Sequence, residues 1–314
     1  MKLVIQQNVP LKNKTWFNTG GAAAFYCQPS DGLEFQEAIA FAQQHALEIF
    51  VLGHGANILI SDDGFDGLVI HPNIQTLSIT NDQHDQPLVT AGAGVSMEKL
   101  ITYTLEHNCI GLEDFSGIPG SVGGSVYINL HYFDKLIEQF LVTVELIERT
   151  TGTIITVDKN WFNFGYDQSK LMEHNHYVIA ATLRLKKATD LEVAYAKGRS
   201  TEIIRHRVSR YPNKNTCGSF FRNFYKDEVT LTVNNKKAIW VAYYLDKIGV
   251  KGALKVGDAS VSYQHANMLV TGPQATSTDV ATLARTMQEL VFKEFGIIPQ
   301  PECILIGFKN NPLL

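Results

Sequence analysis

The sequence predicts an α+β protein built from more than one domain. Three observations carry that expectation. Short apolar runs separated by glycine-bearing turns fill the first two thirds, and helical periodicity is confined to a few longer stretches. Near Arg205 a polar, Arg-rich segment changes the character of the chain. At 314 residues the chain is longer than one compact core usually serves, so two or three domains with room for a large buried ligand are expected.

In residues 31–47 Leu33, Ala38, Phe41, Ala42 and Ala46 fall near helical spacing, and Asp31 with Glu34 has the form of a capping box, which predicts a helix. Ile49-Phe50-Val51-Leu52 reads as a strand feeding the turn Gly53-His54-Gly55-Ala56-Asn57 and a second strand at 58–60. Leu68-Val69-Ile70 and Leu88-Val89-Thr90 continue the strands, and 97–107 reads as a second helix. The run Gly117-Ile118-Pro119-Gly120-Ser121-Val122-Gly123-Gly124-Ser125 holds four glycines in nine positions. That is too many for the interior of a regular element, so a loop, or a helix start closely approached by something, is expected. Residues 142–149 and 153–157 flank Thr150-Thr151-Gly152 as a hairpin, and 177–185 alternates like a strand. The polar segment 205–216, with Arg205, Arg207, Arg210, Lys214 and Pro212, marks a domain boundary. Beyond it, 236–248 reads as a helix closed by Gly249, and 278–295 as an amphipathic helix ended by Gly296. Tyr243, Tyr244, Phe292 and Phe295 lie on these helices and are assigned to the core.

Composition removes several function classes. Lys and Arg number 27 against 31 Asp and Glu, a formal charge of −4 with no dense basic stripe, which argues against duplex nucleic acid as a partner. No apolar run reaches the ~18–20 residues of a membrane span, and MKLVIQQNVPLKNK lacks the apolar core of a signal peptide, so the cytoplasm is the expected location. Cys27, Cys109, Cys217 and Cys303 are never closer than 82 positions, which excludes close-spaced zinc and CxxC patterns and leaves reduced structural thiols. His174-Asn175-His176 has no third ligand nearby, so no metal is expected.

Four features carry chemistry. Glycine turns expose several N–H groups to one anion, so Gly53-His54-Gly55-Ala56-Asn57 and the 117–124 run are natural diphosphate cradles or, alternatively, tight structural turns. Neither matches a P-loop, and no GxGxxG follows a strand with a later acid. Cys217-Gly218-Ser219-Phe220-Phe221-Arg222-Asn223 sets a serine beside glycine and two aromatics; it is no GxSxG elbow, and its hydroxyl is a proton donor if buried against substrate, or else a turn serine. In Pro299-Gln300-Pro301-Glu302-Cys303-Ile304 one carboxylate enters an apolar run, either at a strand mouth or buried and functional.

Taken in order, these segments resemble the UDP-N-acetylenolpyruvoylglucosamine reductase family, from about Asn18-Thr19-Gly20-Gly21 to Gly307. The most specific matches are Leu52-Gly53-His54-Gly55-Ala56-Asn57-Ile58-Leu59-Ile60, Gly117 to Gly124, Gly218-Ser219-Phe220-Phe221 and Glu302. The resemblance implies a vanillyl-alcohol-oxidase-type fold, in which subdomains 1–72 and 73–204 clamp FAD and a domain at 205–314 covers the substrate. It implies a peptidoglycan-pathway enzyme, acting as a monomer, in which NADPH reduces FAD and hydride passes to the enolpyruvyl group of a UDP-sugar. By motif position Ser219 resembles the proton donor and Glu302 the acid that steadies the enol intermediate. Gly53, His54, Gly55, Ala56, Asn57, Ile58, Gly117, Pro119, Gly120, Ser121, Gly123 and Gly124 are implied to hold the cofactor. Tyr166, Arg210, Phe221 and Asn223 are implied to hold the substrate.

Three departures surround the implied site. The family places arginine after tyrosine in Gly-Tyr-Arg-x-Ser, where it steadies the enolate and the substrate carboxylate, but here Gly165-Tyr166-Asp167-Gln168-Ser169 puts an acid there. Reversing that sign removes a stabilising interaction of several kcal/mol at short range, to order of magnitude. Asn129-Leu130-His131-Tyr132-Phe133-Asp134 replaces a small-residue stretch, and Phe224 follows Asn223 where proline is common. Asp167 therefore feeds two rival readings, a paralogue acting on another sugar nucleotide and a flavin-binding protein without turnover.

Overall fold

The computed structural model describes residues 3–314, so Met1 and Lys2 of the N-terminal stretch lie outside it. The chain gathers into two compact units. One takes residues through Asn8 with Ala24–His54 and Asp66–Arg207; the other takes Val9–Ala23, Gly55–Phe65 and Val208–Leu314. Val9–Ala23 and Gly55–Phe65, placed by the sequence in a first subdomain 1–72, are thus packed with the C-terminal residues.

The first unit is built on an antiparallel sheet of five strands in the order Ile154–Asp158, Leu141–Glu148, His176–Arg184, Pro87–Gly92, Leu77–Asn81. The expected hairpin is its first pair, with Gly152 at φ +66° and the Glu148 amide donating to Thr153 O at 2.9 Å. Val89, Val144, Leu146 and Ala181 on this sheet pack with Leu100, Ile101 and Leu105 of a helix at Met97–Glu106. A smaller core lies under the helix at Gly32–Gln44, where Phe35, Ala38, Ile39 and Ala42 meet Leu68, Ile70, Ile147 and Ile179. Each such Val, Leu, Ile or Phe side chain contributes about 1.5–3 kcal/mol by leaving water. The Asp31 carboxylate accepts from Glu34 N at 2.8 Å, but Glu34 reaches back to Ser30 N and Oγ rather than to Asp31 N, so the expected box is offset by one residue.

The second unit holds an antiparallel sheet of Lys255–Val256, Ala259–Val261 and Leu269–Thr271, with helices at Val241–Lys247 and Ser277–Phe295. Ile58–Ile60 runs parallel to Ile304–Ile306. Asp62 caps the last helix, accepting from Ser277 N and Thr278 N at 2.8 Å each. That pairing and that cap tie the 55–65 segment to residues more than two hundred positions later.

Two expectations need correction. The helix read at 236–248 starts at Val241, because Lys236–Lys237 pairs with Thr232–Val233 across Asn234 and Asn235, both at positive φ as a tight hairpin turn demands. The two units divide after Arg207, inside the polar 205–216 segment read as a boundary, and its first half is the end of a helix at Asp190–Arg210; only Val193 and Ala196 of that helix are buried, so it carries almost no periodic signal. Pro212 disfavours helical backbone at Tyr211 and stops it there. Phe292 is 52% exposed rather than core, while Tyr244 and Phe295 pack edge to face at 5.0 Å. All four cysteines are free and buried. Among the described residues no helix is long and apolar enough to cross a membrane.

Candidate active site

In the turn Gly53-His54-Gly55-Ala56-Asn57, none of the five amides donates a hydrogen bond to another described residue. Gly55 has φ +65°, and a Cβ there would run into the Lys14 carbonyl, so only glycine fits. The buried His54 ring donates to the Gly94 backbone, and burial holds its pKa below the usual value, keeping the imidazole neutral. Asn57 donates through Nδ2 to Glu302 O at 3.3 Å, and its buried Oδ1 has no partner among the described residues. Ile58 opens the strand that pairs with Ile304.

The second run becomes a helix start. Ser121 caps a six-residue helix, Val122–Tyr127, by accepting from Gly124 N at 3.2 Å. Gly123 and Gly124 therefore lie in the first turn of a helix, the second of the two alternatives the sequence left open; a Cβ on Gly123 would stand 3.0 Å from Ala93 Cβ, so close packing requires the glycine. A Cβ on Gly53 would stand 2.7 Å from Ser121 Oγ, which brings the first turn against the start of this helix. Gly117, at φ +74°, presents its carbonyl to Arg207 Nε at 3.1 Å, and Gly120 is open on its side-chain side, nearest to Ser125 Oγ at 3.7 Å. Pro119 between them has no amide to donate. The amides of Gly120 and Ser121 make no hydrogen bond among the described residues. Unpaired main-chain N–H donors at Gly53, His54, Gly120 and Ser121 fit the oxygens of a diphosphate-bearing cofactor.

Ser219 sits in an antiparallel bridge with Met268, and Phe221 in one with Pro301. Glu302 N donates to Phe220 O at 2.9 Å and Arg222 N to Gln300 O at 3.0 Å, so serine and acid occupy adjoining extended segments. Asn267, which nothing in the sequence singled out, clamps the serine segment: its O and Oδ1 accept from Phe220 N and Phe221 N at 2.8 and 3.1 Å, and Nδ2 donates to Phe221 O at 2.7 Å. Behind this, burial and a hydrogen bond with the Cys303 thiol push the Cys217 thiol well above its usual pKa. Two cysteines 86 positions apart in the chain are therefore neighbours in space.

The implied substrate residues fare differently. Phe221 is 1% exposed, packed edge to face on Phe220, with both backbone groups taken by Asn267; it is a core residue and its ring presents no face to a substrate. Asn223 Oδ1 accepts from Val241 N at 3.3 Å and so steadies the start of the Val241–Lys247 helix. Arg210 ends the Asp190–Arg210 helix with its guanidinium 6.0 Å from the Tyr211 ring. Tyr166 is partly exposed, 4.7 Å from the His131 ring, and His131 Nδ1 stands 3.1 Å from Asp167 Oδ1.

Comparison with known proteins decides the family. Over 309 residues the chain is 33% identical to the UDP-N-acetylenolpyruvoylglucosamine reductase of Gloeobacter violaceus, covering 98% of each sequence. The chain belongs to the UDP-N-acetylenolpyruvoylglucosamine reductase family. It is 31% identical over 314 residues to the enzyme of that family from Synechococcus sp., covering 99% of this chain and 94% of the other. The family's C-terminal domain matches residues 211–306, and an FAD binding domain matches 23–158. The crystal structure of the Thermus caldophilus family member superposes with a TM-score of 0.77 at 26% identity, over 98% of this chain and 99% of that one. The fold is therefore α+β, an FAD binding domain with the family's C-terminal domain.

Proposed function

We propose that Ser219 and Glu302 carry the proton chemistry of the family's reaction, the NADPH-dependent reduction of UDP-N-acetylglucosamine enolpyruvate to UDP-N-acetylmuramate for peptidoglycan. FAD, when bound, supplies hydride carriage from NADPH to the enolpyruvyl double bond. Hydride at one vinyl carbon leaves negative charge on the carbon that bears the carboxylate, and that charge needs a proton and nearby donors. The Ser219 hydroxyl gives the proton, its weak acidity matched by the strong basicity of the carbanion. Glu302 as the neutral acid donates a hydrogen bond to the same carboxyl oxygens.

The backbone bond from Glu302 to Phe220 carries this reading, since it sets the acid beside the serine segment within one unit. The turn 53–57 and the run 117–124 hold the cofactor through main-chain amides. Tyr166 and Arg210 contact the UDP-sugar. Residues 1–72 and 73–204 serve the flavin and 205–314 the substrate, in a monomer working in the cytoplasm. Anaerobic stopped-flow tests it: NADPH must bleach the flavin, and the enolpyruvyl UDP-sugar must restore the colour. A protein that bleaches and is not reoxidised by that substrate would falsify the reading.

A further inference from the structure

Ser219 lies on a segment that is paired along both edges. Phe220 bonds in two directions at once: its N–H donates to Asn267 O at 2.8 Å, and its carbonyl accepts from Glu302 N at 2.9 Å and Cys303 N at 3.2 Å. The antiparallel bridges Ser219–Met268 and Phe221–Pro301 continue the two pairings. Residues 219–222 are therefore the middle of three extended segments, with 267–268 and 300–303 as neighbours in the second unit. Phe220 and Phe221 are fully buried and Ser219 is half-buried, so the serine can move only if packed core moves with it.

Past the Ser219–Met268 bridge a side chain does the work of a strand. The N–H and C=O of Phe221 are both taken by the Asn267 carboxamide, Oδ1 accepting at 3.1 Å and Nδ2 donating at 2.7 Å. A carboxamide carries an acceptor and a donor side by side, as a peptide does, and so can close both bonds at once. Asn267 is buried and is itself held. Its N–H donates to His265 Nδ1 at 3.3 Å, Met268 N donates to His265 O at 3.1 Å, and Ser262 N donates to Met268 O at 2.8 Å. Backbone and side chain are both fixed, so the carboxamide has little freedom to follow a drifting partner.

We propose that Asn267 is the positioning residue of the proton-transfer step, its carboxamide holding Ser219 in one register against the Glu302 segment. It acts through the backbone of Phe220 and Phe221. Proton transfer needs donor and acceptor within about 2.6–3.2 Å, and a displacement of about 1 Å can slow a step about 10²-fold. Without the carboxamide, Phe221 N and O are left unpaired in the core; the segment shifts to relieve them, and the serine shifts with it. The assignment rests on the reading above in which Ser219 gives the proton.

The test is anaerobic stopped-flow on the FAD-loaded protein with Asn267→Ala and with Asn267→Asp, which keeps the acceptor for Phe221 N and loses the donor to Phe221 O. Asn267→Ala is expected to leave flavin reduction by NADPH within about 2-fold and to slow reoxidation by the enolpyruvyl UDP-sugar about 10- to 100-fold, and Asn267→Asp to act in the same direction. In the Ser219→Ala background Asn267→Ala should add less than about 3-fold, because the group it aims is gone. Hydrogen exchange read by mass spectrometry should quicken about 10-fold or more over 219–222 in Asn267→Ala and keep the wild-type rate over the Ser277–Phe295 helix. Equal slowing of both half-reactions, the full further loss in the Ser219→Ala background, or unchanged exchange over 219–222 overturns the assignment. Wild-type reoxidation of Ser219→Ala overturns the proton-donor reading and this inference with it; slow Ser219→Ala beside Asn267→Ala at the wild-type rate overturns this inference alone.

Discussion

The backbone N–H of Glu302 donates to the carbonyl of Phe220 at 2.9 Å, and this one bond sets the register between the acid and the neighbouring Ser219. Asn57 grips the same residue from the first glycine turn, through the Glu302 carbonyl. Ser219→Ala is expected to leave NADPH reduction of the flavin unchanged and to slow reoxidation by the enolpyruvyl substrate about 10²–10⁴-fold. Glu302→Gln is expected to slow the same half-reaction about 10²–10³-fold. Stopped-flow absorbance separates the halves; equal slowing of both would assign these residues to folding.

Glycine substitutions should separate backbone strain from ligand approach. Gly55→Ala forces a positive φ on alanine and drives its Cβ into the Lys14 carbonyl, which is expected to cost about 1–3 kcal/mol or more and to lower flavin retention. Gly124→Ala lies in a helix, with Ser121 Oγ at an ordinary 3.4 Å, so the flavin-free protein should gain up to about 1 kcal/mol. Its flavin affinity should nevertheless fall, because the cradle is narrowed. Thermal melts with and without FAD distinguish the pair; unchanged flavin affinity in Gly124→Ala removes that residue from the cradle.

Asp62 accepts three hydrogen bonds at the head of the last helix, from Ser277 N, Thr278 N and Thr278 Oγ1. Asp62→Ala is therefore expected to lower stability by about 1–3 kcal/mol, read from urea unfolding. Asp62→Asn, which keeps an acceptor without the charge, should lose less.

Acidification should weaken the fold in a defined direction. Burial lowers the pKa of His54, His176 and His265, so the unfolded chain binds more protons than the native one as pH falls below the unperturbed histidine value. Stability is then fully present above about pH 6.5 and declines toward and through the lower native pKa values. The melting temperature should drop between pH 7 and 5, and His54→Gln should make that slope shallower. A slope unaltered by the substitution would remove His54 from the effect.

The thiols should be silent. Burial pushes Cys27 up to about 12, raises Cys109, and raises Cys217 well above its usual range. Ellman's reagent at pH 8 should find almost no reactive thiol in the native protein and four after denaturation.

Strand runs, the hairpin at Gly152 and the long C-terminal helix were legible because local pattern and tertiary burial agree there. The Asp190–Arg210 helix was not, since its charged residues surround it on nearly every side and no apolar stripe marks it. Gly55, Gly123 and Ser219 stand in recognisable strings, whereas the role of Asn267 depends on Phe221, 46 positions away in the chain. Phe221 and Asn223 show the converse: adjacency to a motif in sequence placed them at the substrate, and packing placed one in the core and the other at a helix start.

Asn57 and Glu302 are 245 positions apart, and the strand Ile58–Ile60 has its parallel neighbour only at Ile304–Ile306. At about 5–20 residues per second of translation, roughly 10–50 s separate the emergence of the two segments from the ribosome. Through that interval Ile58, Leu59 and Ile60 lack their pairing edge, a short sticky strand of the kind that chaperones shield. Residues 304–306 thus complete the folding of a segment made more than two hundred residues earlier, and a message broken just before them would yield a chain unable to seat either its acid or its first glycine turn.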